Sequence, residues 1–153
     1  MKISFKYGVM LGAALLTGCS ASPSVDAPWG SGQTAEVADA TVSLTSNLWI
    51  NAMPSADAES DQALNGALYI ESKHELPASL DVVSVALRQG DKQWLVSAQD
   101  FELRSHSDQR WEVAFAVGAN IDEQVKVDVA LQLASGELQT WLIERGVEVD
   151  TTY

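Results

Sequence analysis

From residue 40 onward, apolar and polar residues alternate with a period of two, the pattern of strands that bury one face. In a first run Ala40, Val42, Leu44, Leu48 and Ile50 share one side, opposite Thr41, Ser43, Thr45 and Asn47. A second run, 64–73, puts Leu64, Leu68 and Ile70 together, with Glu71 and Lys73 opposite. A third, 80–88, is apolar on both sides at its start, as a central strand is. Gln89-Gly90-Asp91-Lys92 then predicts a hairpin turn into a strand over 93–97. A short strand around Phe101 and Leu103 follows, ending in a polar turn over 105–109.

The last three runs alternate most regularly. Trp111, Val113, Phe115 and Val117 face away from Glu112, Ala114 and Ala116. Val125, Val127, Val129, Leu131 and Leu133 face away from Lys126, Asp128, Ala130 and Gln132. Ser135-Gly136 turns the chain into a final strand over 138–149, in which Gly146 marks a bulge. Seven or eight short strands with turn signals between them, and no helical period, predict an all-β fold: an antiparallel β-sandwich. In strand count, and in the 114 residues from 40 to 153, it resembles an immunoglobulin-like or fibronectin-type-III-like domain. The resemblance is architectural only. No cysteine pair links the sheets, and no tyrosine stands near 125–133 to form a tyrosine corner. A small β-barrel is the alternative closure.

Ahead of these strands, residues 20–39 are rich in Ser, Ala, Pro, Gly and Asp, with Pro23, Pro28, Gly30 and Gly32 opposing regular structure. They predict a flexible tether with a reach of about 25 Å. Trp29 is the odd residue there, free to dock on the domain, float or meet a partner. Before the tether, Lys2 and Lys6 precede an apolar stretch of ten residues, 7–16, too short to cross a bilayer but suited to a secretion signal. The stretch ends in Leu16-Thr17-Gly18-Cys19, which resembles the lipobox of bacterial lipoproteins. The resemblance implies removal of residues 1–18, a diacylglycerol on the Cys19 thiol and an acyl chain on the new amino terminus. Two or more chains hold a protein stably on a membrane, whereas one does not. Ser20 rather than Asp follows the cysteine, which in Gram-negative lipoproteins implies sorting to the outer membrane, on its periplasmic face. The expected organisation is therefore a signal over 1–18, lipidated Cys19 and tether over 19–39, and a sandwich over 40–153.

The chain carries 9 basic and 21 acidic residues, a net charge of −12. Without Lys2 and Lys6 the mature protein keeps 7 basic residues against 21 acidic, or −14. Nucleic-acid binding relies on Lys and Arg displacing counterions, so that class of partner is excluded. The single cysteine rules out an internal disulfide and a multi-cysteine metal site within one chain.

Candidate chemistry is sparse. Asp57, Glu59 and Asp61 alternate in the segment 53–63 and could offer oxygen ligands to Ca²⁺, but without an EF-hand's glycine and closing glutamate they read as a solvated acidic loop. The only histidines, His74 and His106, are isolated loop residues in this reading, short of a zinc or copper ligand set. Ser105-His106-Ser107-Asp108 has the letters of a hydrolase triad. Consecutive loop residues diverge, however, and there is no G-x-S-x-G elbow. Glycines are scattered rather than gathered into a phosphate loop. Trp94, Trp111 and Trp141 fit core or sheet-edge roles. Trp49 and Tyr69 differ, because alternation puts each on the side opposite its strand's aliphatic stripe. If consecutive strands pair, the two rings could form an aromatic platform for sugars or protein partners, unless the tether covers it.

The sequence thus predicts a non-enzymatic envelope lipoprotein that acts as an interaction module toward an envelope protein or glycan. The alternative is a small-ligand module for a glycan or a cation. No cofactor is expected beyond the lipid on Cys19.

Overall fold

Ten strands follow one another in the computed structural model, which describes residues 26–52 and 63–153. They are β1 (Thr34–Val37), β2 (Ala40–Asn51), β3 (Ala63–Ser72), β4 (Leu80–Gln89), β5 (Lys92–Ser97), β6 (Phe101–Ser107), β7 (Arg110–Gly118), β8 (Val127–Ser135), β9 (Leu138–Val147) and β10 (Val149–Thr152). One sheet runs β1-β2-β3-β7-β6, with β10 also on β2; the other runs β5-β4-β8-β9. Strands β2 to β9 thereby follow the A-B-E-D and C′-C-F-G order of immunoglobulin-like sandwiches. The sandwich expectation holds, and the strand count rises because β1 and β10 share the outer edge of β2. There β1 lies antiparallel against 40–43 and β10 parallel against 48–51.

The core forms where the two apolar stripes meet. Leu44, Leu48, Leu64, Leu68, Ile70 and Val113 of the larger sheet face Val85, Leu87, Val129, Leu131, Leu133 and Leu142 of the smaller, all fully buried. Each such side chain contributes on the order of 2 kcal/mol of burial. Gln89, expected as a turn residue, is buried instead. Its amide donates to the carbonyls of Asp122 and Val125 (2.9 and 2.8 Å) and accepts from the Asp122 N–H (2.9 Å), pinning the loop before β8.

Three boundaries differ from the sequence reading. The tether does not run free to residue 39: Gln33 and Thr34–Val37 pair with β2, and Ala27, Trp29 and Gly32 contact the smaller sheet. Four residues, TAEV, are too few to show a period, so composition dominated the reading. The final run divides after Val147, passing from the smaller sheet in β9 to the larger in β10. Gly146, at φ +71°, sits at the bulge where this begins, its N–H donating to Asp128 Oδ1 at 3.0 Å. Of the turn expected at 105–109, residues 105–107 extend β6, polar on both sides because it is a sheet edge, and the chain turns at Asp108-Gln109.

A pocket on the outer face of the larger sheet

The pairing register arranges the outward side chains of the larger sheet in rows across the strands. Trp49 stands opposite Asn65, and Asn65 opposite Ala116. The next row is Asn47, Ala67, Ala114 and Glu102; the one after is Thr45, Tyr69, Glu112 and Arg104. Alanines at the centre leave a trough between two banks, and it forms an open groove of about 870 Å³. Trp49 and Tyr69 both line it, as do Asn47, Asn65, Asp100, Glu102, Arg104, Glu112 and Asp150. Gly66 lies in the floor, with its missing side chain on the inner side of the sheet. A Cβ there would stand 2.2 Å from Cζ of Phe115, so the Phe115 ring fills the place of a side chain.

The two sequence-selected aromatics occupy one face and one groove, but not one contiguous platform. Trp49 is one outward row from the alanines and Tyr69 is one row beyond them. The four-residue offset along β3 and one strand spacing separate their Cα atoms by about 14 Å. Tyr69 is clamped: the Arg110 guanidinium lies 4.1 Å from its ring centre, His106 is 6.1 Å away, and Glu112 stands opposite it on β7. Trp49 has no ring or cation contact among the described residues and remains half-buried with its groove side open.

Glu112 is the hub of the far bank. Its carboxylate, itself buried, accepts from Arg104 Nη1 at 3.3 Å and faces His106 Nε2 at 3.4 Å. Burial pushes this carboxyl up, yet hydrogen bonds from His106 and Tyr69 and the charges of His106 and Arg104 together outweigh it and hold the pKa below the ordinary carboxylate value. Burial, and then the bond to Glu112 and its negative charge, push the Tyr69 phenol up against the opposing effect of Arg110, so it stays a donor. Arg104 also reaches Glu102 at 3.1 Å, and Arg110 pairs with Glu71 at 3.3 Å.

The opposite outer face has a similar alanine row, and it is filled. Ala86, Ala130 and Ile143 form that row in the smaller sheet, and Trp29 packs on it beside Ala27 and Trp141. The backbone follows, with the Ile143 N–H donating to the Gly32 carbonyl at 2.9 Å. Ala27, Trp29 and Gly32 of the tether therefore lie on the smaller sheet, and Trp49 and Tyr69 have no such cover among the described residues.

Among the other candidates, His106 meets Glu112 and Tyr69 rather than Ser105 or Asp108, and Ser105 Oγ turns to the Ser107 carbonyl at 3.5 Å. The letters of a triad do not converge. His74 is an exposed residue whose N–H bonds the Ser72 hydroxyl at 3.3 Å. No group of three or more potential metal ligands gathers among the described residues. Trp94 and Trp111 pack against the main core, and Trp141 against the Trp29 cluster. Cys19, Asp57, Glu59 and Asp61 lie outside the described residues. Asn47, Asn65, Glu102, Arg104 and Glu112 were missed as site residues. Their one sequence signal is that Ala114 and Ala116 occupy outward positions of a strand where polar residues are usual. Comparison of the chain with protein-family models, with curated proteins and with solved structures finds no match.

Proposed function

We propose that this protein is a non-enzymatic lipoprotein of the bacterial envelope, lipidated on Cys19, whose binding face is the groove on the larger sheet. One observation carries the reading: of two alanine-floored outer faces, the described residues close one with Trp29 and leave the other open between Trp49 and Tyr69. A surface that is concave, partly apolar and rimmed by a few polar groups is the usual form of a ligand site. Tethering at a membrane raises the effective concentration of such a site toward envelope partners.

The docked segment also supports an orientation. Seven residue steps separate Cys19 from Asp26, and they span at most about 25 Å when fully extended. The leash reaches the domain on the smaller sheet, so that sheet faces the bilayer and the groove opens away from it, toward the periplasm if the host is Gram-negative.

Two variants test the two halves of this reading. Cys19→Ser is expected to abolish radiolabelled palmitate incorporation and to move the protein out of the outer-membrane fraction. Ala114→Arg fills the trough and is expected to abolish chemical cross-linking of the anchored protein to envelope material. Unchanged labelling and fractionation of Cys19→Ser would end the lipoprotein reading. Wild-type cross-linking by a folded Ala114→Arg protein would end the assignment of the groove.

A further inference from the structure

Taking the groove as the binding face, which is the reading above, we infer that its occupant is an uncharged glycan. The chain of hydroxyl-rich rings would cross the strands along the Asn47–Ala67–Ala114–Glu102 row, with a ring face against Trp49.

The first argument is what the floor cannot offer. Backbone N–H and C=O groups beneath the groove are spent in the continuous ladders β2–β3, β3–β7 and β7–β6. An extended peptide gains its affinity by adding to a free sheet edge, and this surface is a sheet interior. An occupant must instead be recognised by side chains alone. Those present are a flat apolar strip (Ala67, Ala114, Ala116 and the Trp49 ring) next to amides and carboxylates. A pyranose ring has the matching relief, with C–H groups on its faces and hydroxyls around its rim. Asn47 and Asn65 supply donors and acceptors, and Asp150 supplies an acceptor for hydroxyl protons.

Charge narrows the class. Asp100, Glu102, Glu112 and Asp150 outnumber Arg104 in the lining, on a mature chain of net −14, so an anionic polymer is repelled. Cationic peptides do not gain correspondingly. Glu112 is committed to Arg104, His106 and Tyr69, Glu102 to Arg104, and Asp100 accepts from Ser97 Oγ at 3.0 Å. Size agrees as well: four strands give a trough about 14 Å across, room for several linked rings rather than one.

The test is calorimetric titration of the full-length mature lipoprotein in detergent micelles. The probes are neutral gluco-oligosaccharides and N-acetylglucosamine oligosaccharides of increasing length, an oligogalacturonate and a lysine-rich peptide. At least one neutral series is expected to bind, more tightly with length, and at least about tenfold more weakly in Trp49→Ala and Ala114→Arg, a loss of about 1.4 kcal/mol. Trp49→Phe should retain most of the affinity, and circular dichroism confirms that each variant is folded. A flat neutral panel, or Trp49-dependent binding of the galacturonate or the peptide instead, overturns the inference. If the panel is flat while envelope cross-linking still depends on Ala114, the glycan is wrong and the binding face stands. If cross-linking is also indifferent to Ala114→Arg, both fall.

Discussion

The Arg88 guanidinium stacks on the indole of Trp29, 4.4 Å from the ring centre, while its Nε and Nη2 donate to one oxygen of Asp128 at 3.0 and 2.7 Å. Arg88 and Asp128 stand opposite each other on β4 and β8, one outward row from the alanines that carry Trp29. The ion pair thus fixes a cation above an aromatic ring that is already seated on a small-residue saddle. The carboxy-terminal half of the tether becomes part of the domain for that reason.

Trp29→Ala should lose the cation–π contact and the apolar area under the ring, together about 2 kcal/mol. Trp29→Phe should lose less, because the indole N–H is buried with no hydrogen-bond partner among the described residues and Phe removes that unpaired donor. Urea denaturation measures both. Hydrogen exchange at the Ile143 amide, which donates to the Gly32 carbonyl, reports whether the segment detaches. Unaltered protection of that amide in Trp29→Ala would show that the ring does not hold the strap.

Gly66→Ala should cost about 1–3 kcal/mol, the usual range for overfilling a packed core. The new methyl would overlap the ring of Phe115, which is itself buried. Because Phe115 and Gly66 both line the groove, the same substitution should also weaken whatever the groove binds. Pairing it with Phe115→Leu should recover part of the stability, since the smaller side chain makes room. Thermal melts of the two single variants and the pair measure this coupling. Strict additivity of the two losses would contradict the packing described.

Much of this architecture was readable from alternation alone. The inward stripe of β2 appears in the sequence as Val42, Leu44, Leu48 and Ile50, and each is buried as expected. What alternation cannot supply is register. Trp49 and Tyr69 can be assigned to an outward face from their own strands, but their spacing of four positions along β3 depends on Trp49 facing Asn65. The opposite bank depends on β7 lying beside β3, a pairing of residues about forty or more positions apart. Edge strands are hidden for a different reason. Ser105 and Ser107 of β6 face no second layer, so selection for an apolar side is absent and the segment reads as a turn. Val125 erred the other way: it continues the valine alternation of β8, yet it lies in the turn closed by its own N–H to the Asp122 carbonyl and is exposed.

Ser46 offers a stabilising substitution. It interrupts the inward stripe of β2 between Leu44 and Leu48, and its hydroxyl is buried without a hydrogen-bond partner among the described residues. An unpaired buried hydroxyl costs on the order of 1 kcal/mol or more. Ser46→Ala should therefore raise the urea midpoint by about 1 kcal/mol in stability, with no change in the slope of the transition. A lower midpoint would mean that the hydroxyl is satisfied in solution.

The far bank of the groove gives a pH dependence with a definite sign. Despite the upward push of burial, the pKa of Glu112 lies below its reference value of 4.5, because His106, Tyr69 and Arg104 favour the ionised form. The unfolded chain then binds a proton that the folded chain does not, so stability rises with pH across that interval. The stabilisation is fully present above about pH 4.5 and is lost as the pH falls through the folded value. Glu112→Gln cannot ionise and weakens the bonds from Arg104 and His106, so it should cost about 1 kcal/mol at neutral pH. The gap between wild type and variant should narrow below pH 4.5, while Tyr69→Phe, which removes one donor, should give a smaller gap that closes in the same interval. Urea titrations from pH 7 down through the acid limb measure all three proteins. A gap that stays constant through that limb would show that the Glu112 carboxylate is not held ionised by this network, and the bank facing Trp49 would then lack its fixed charge.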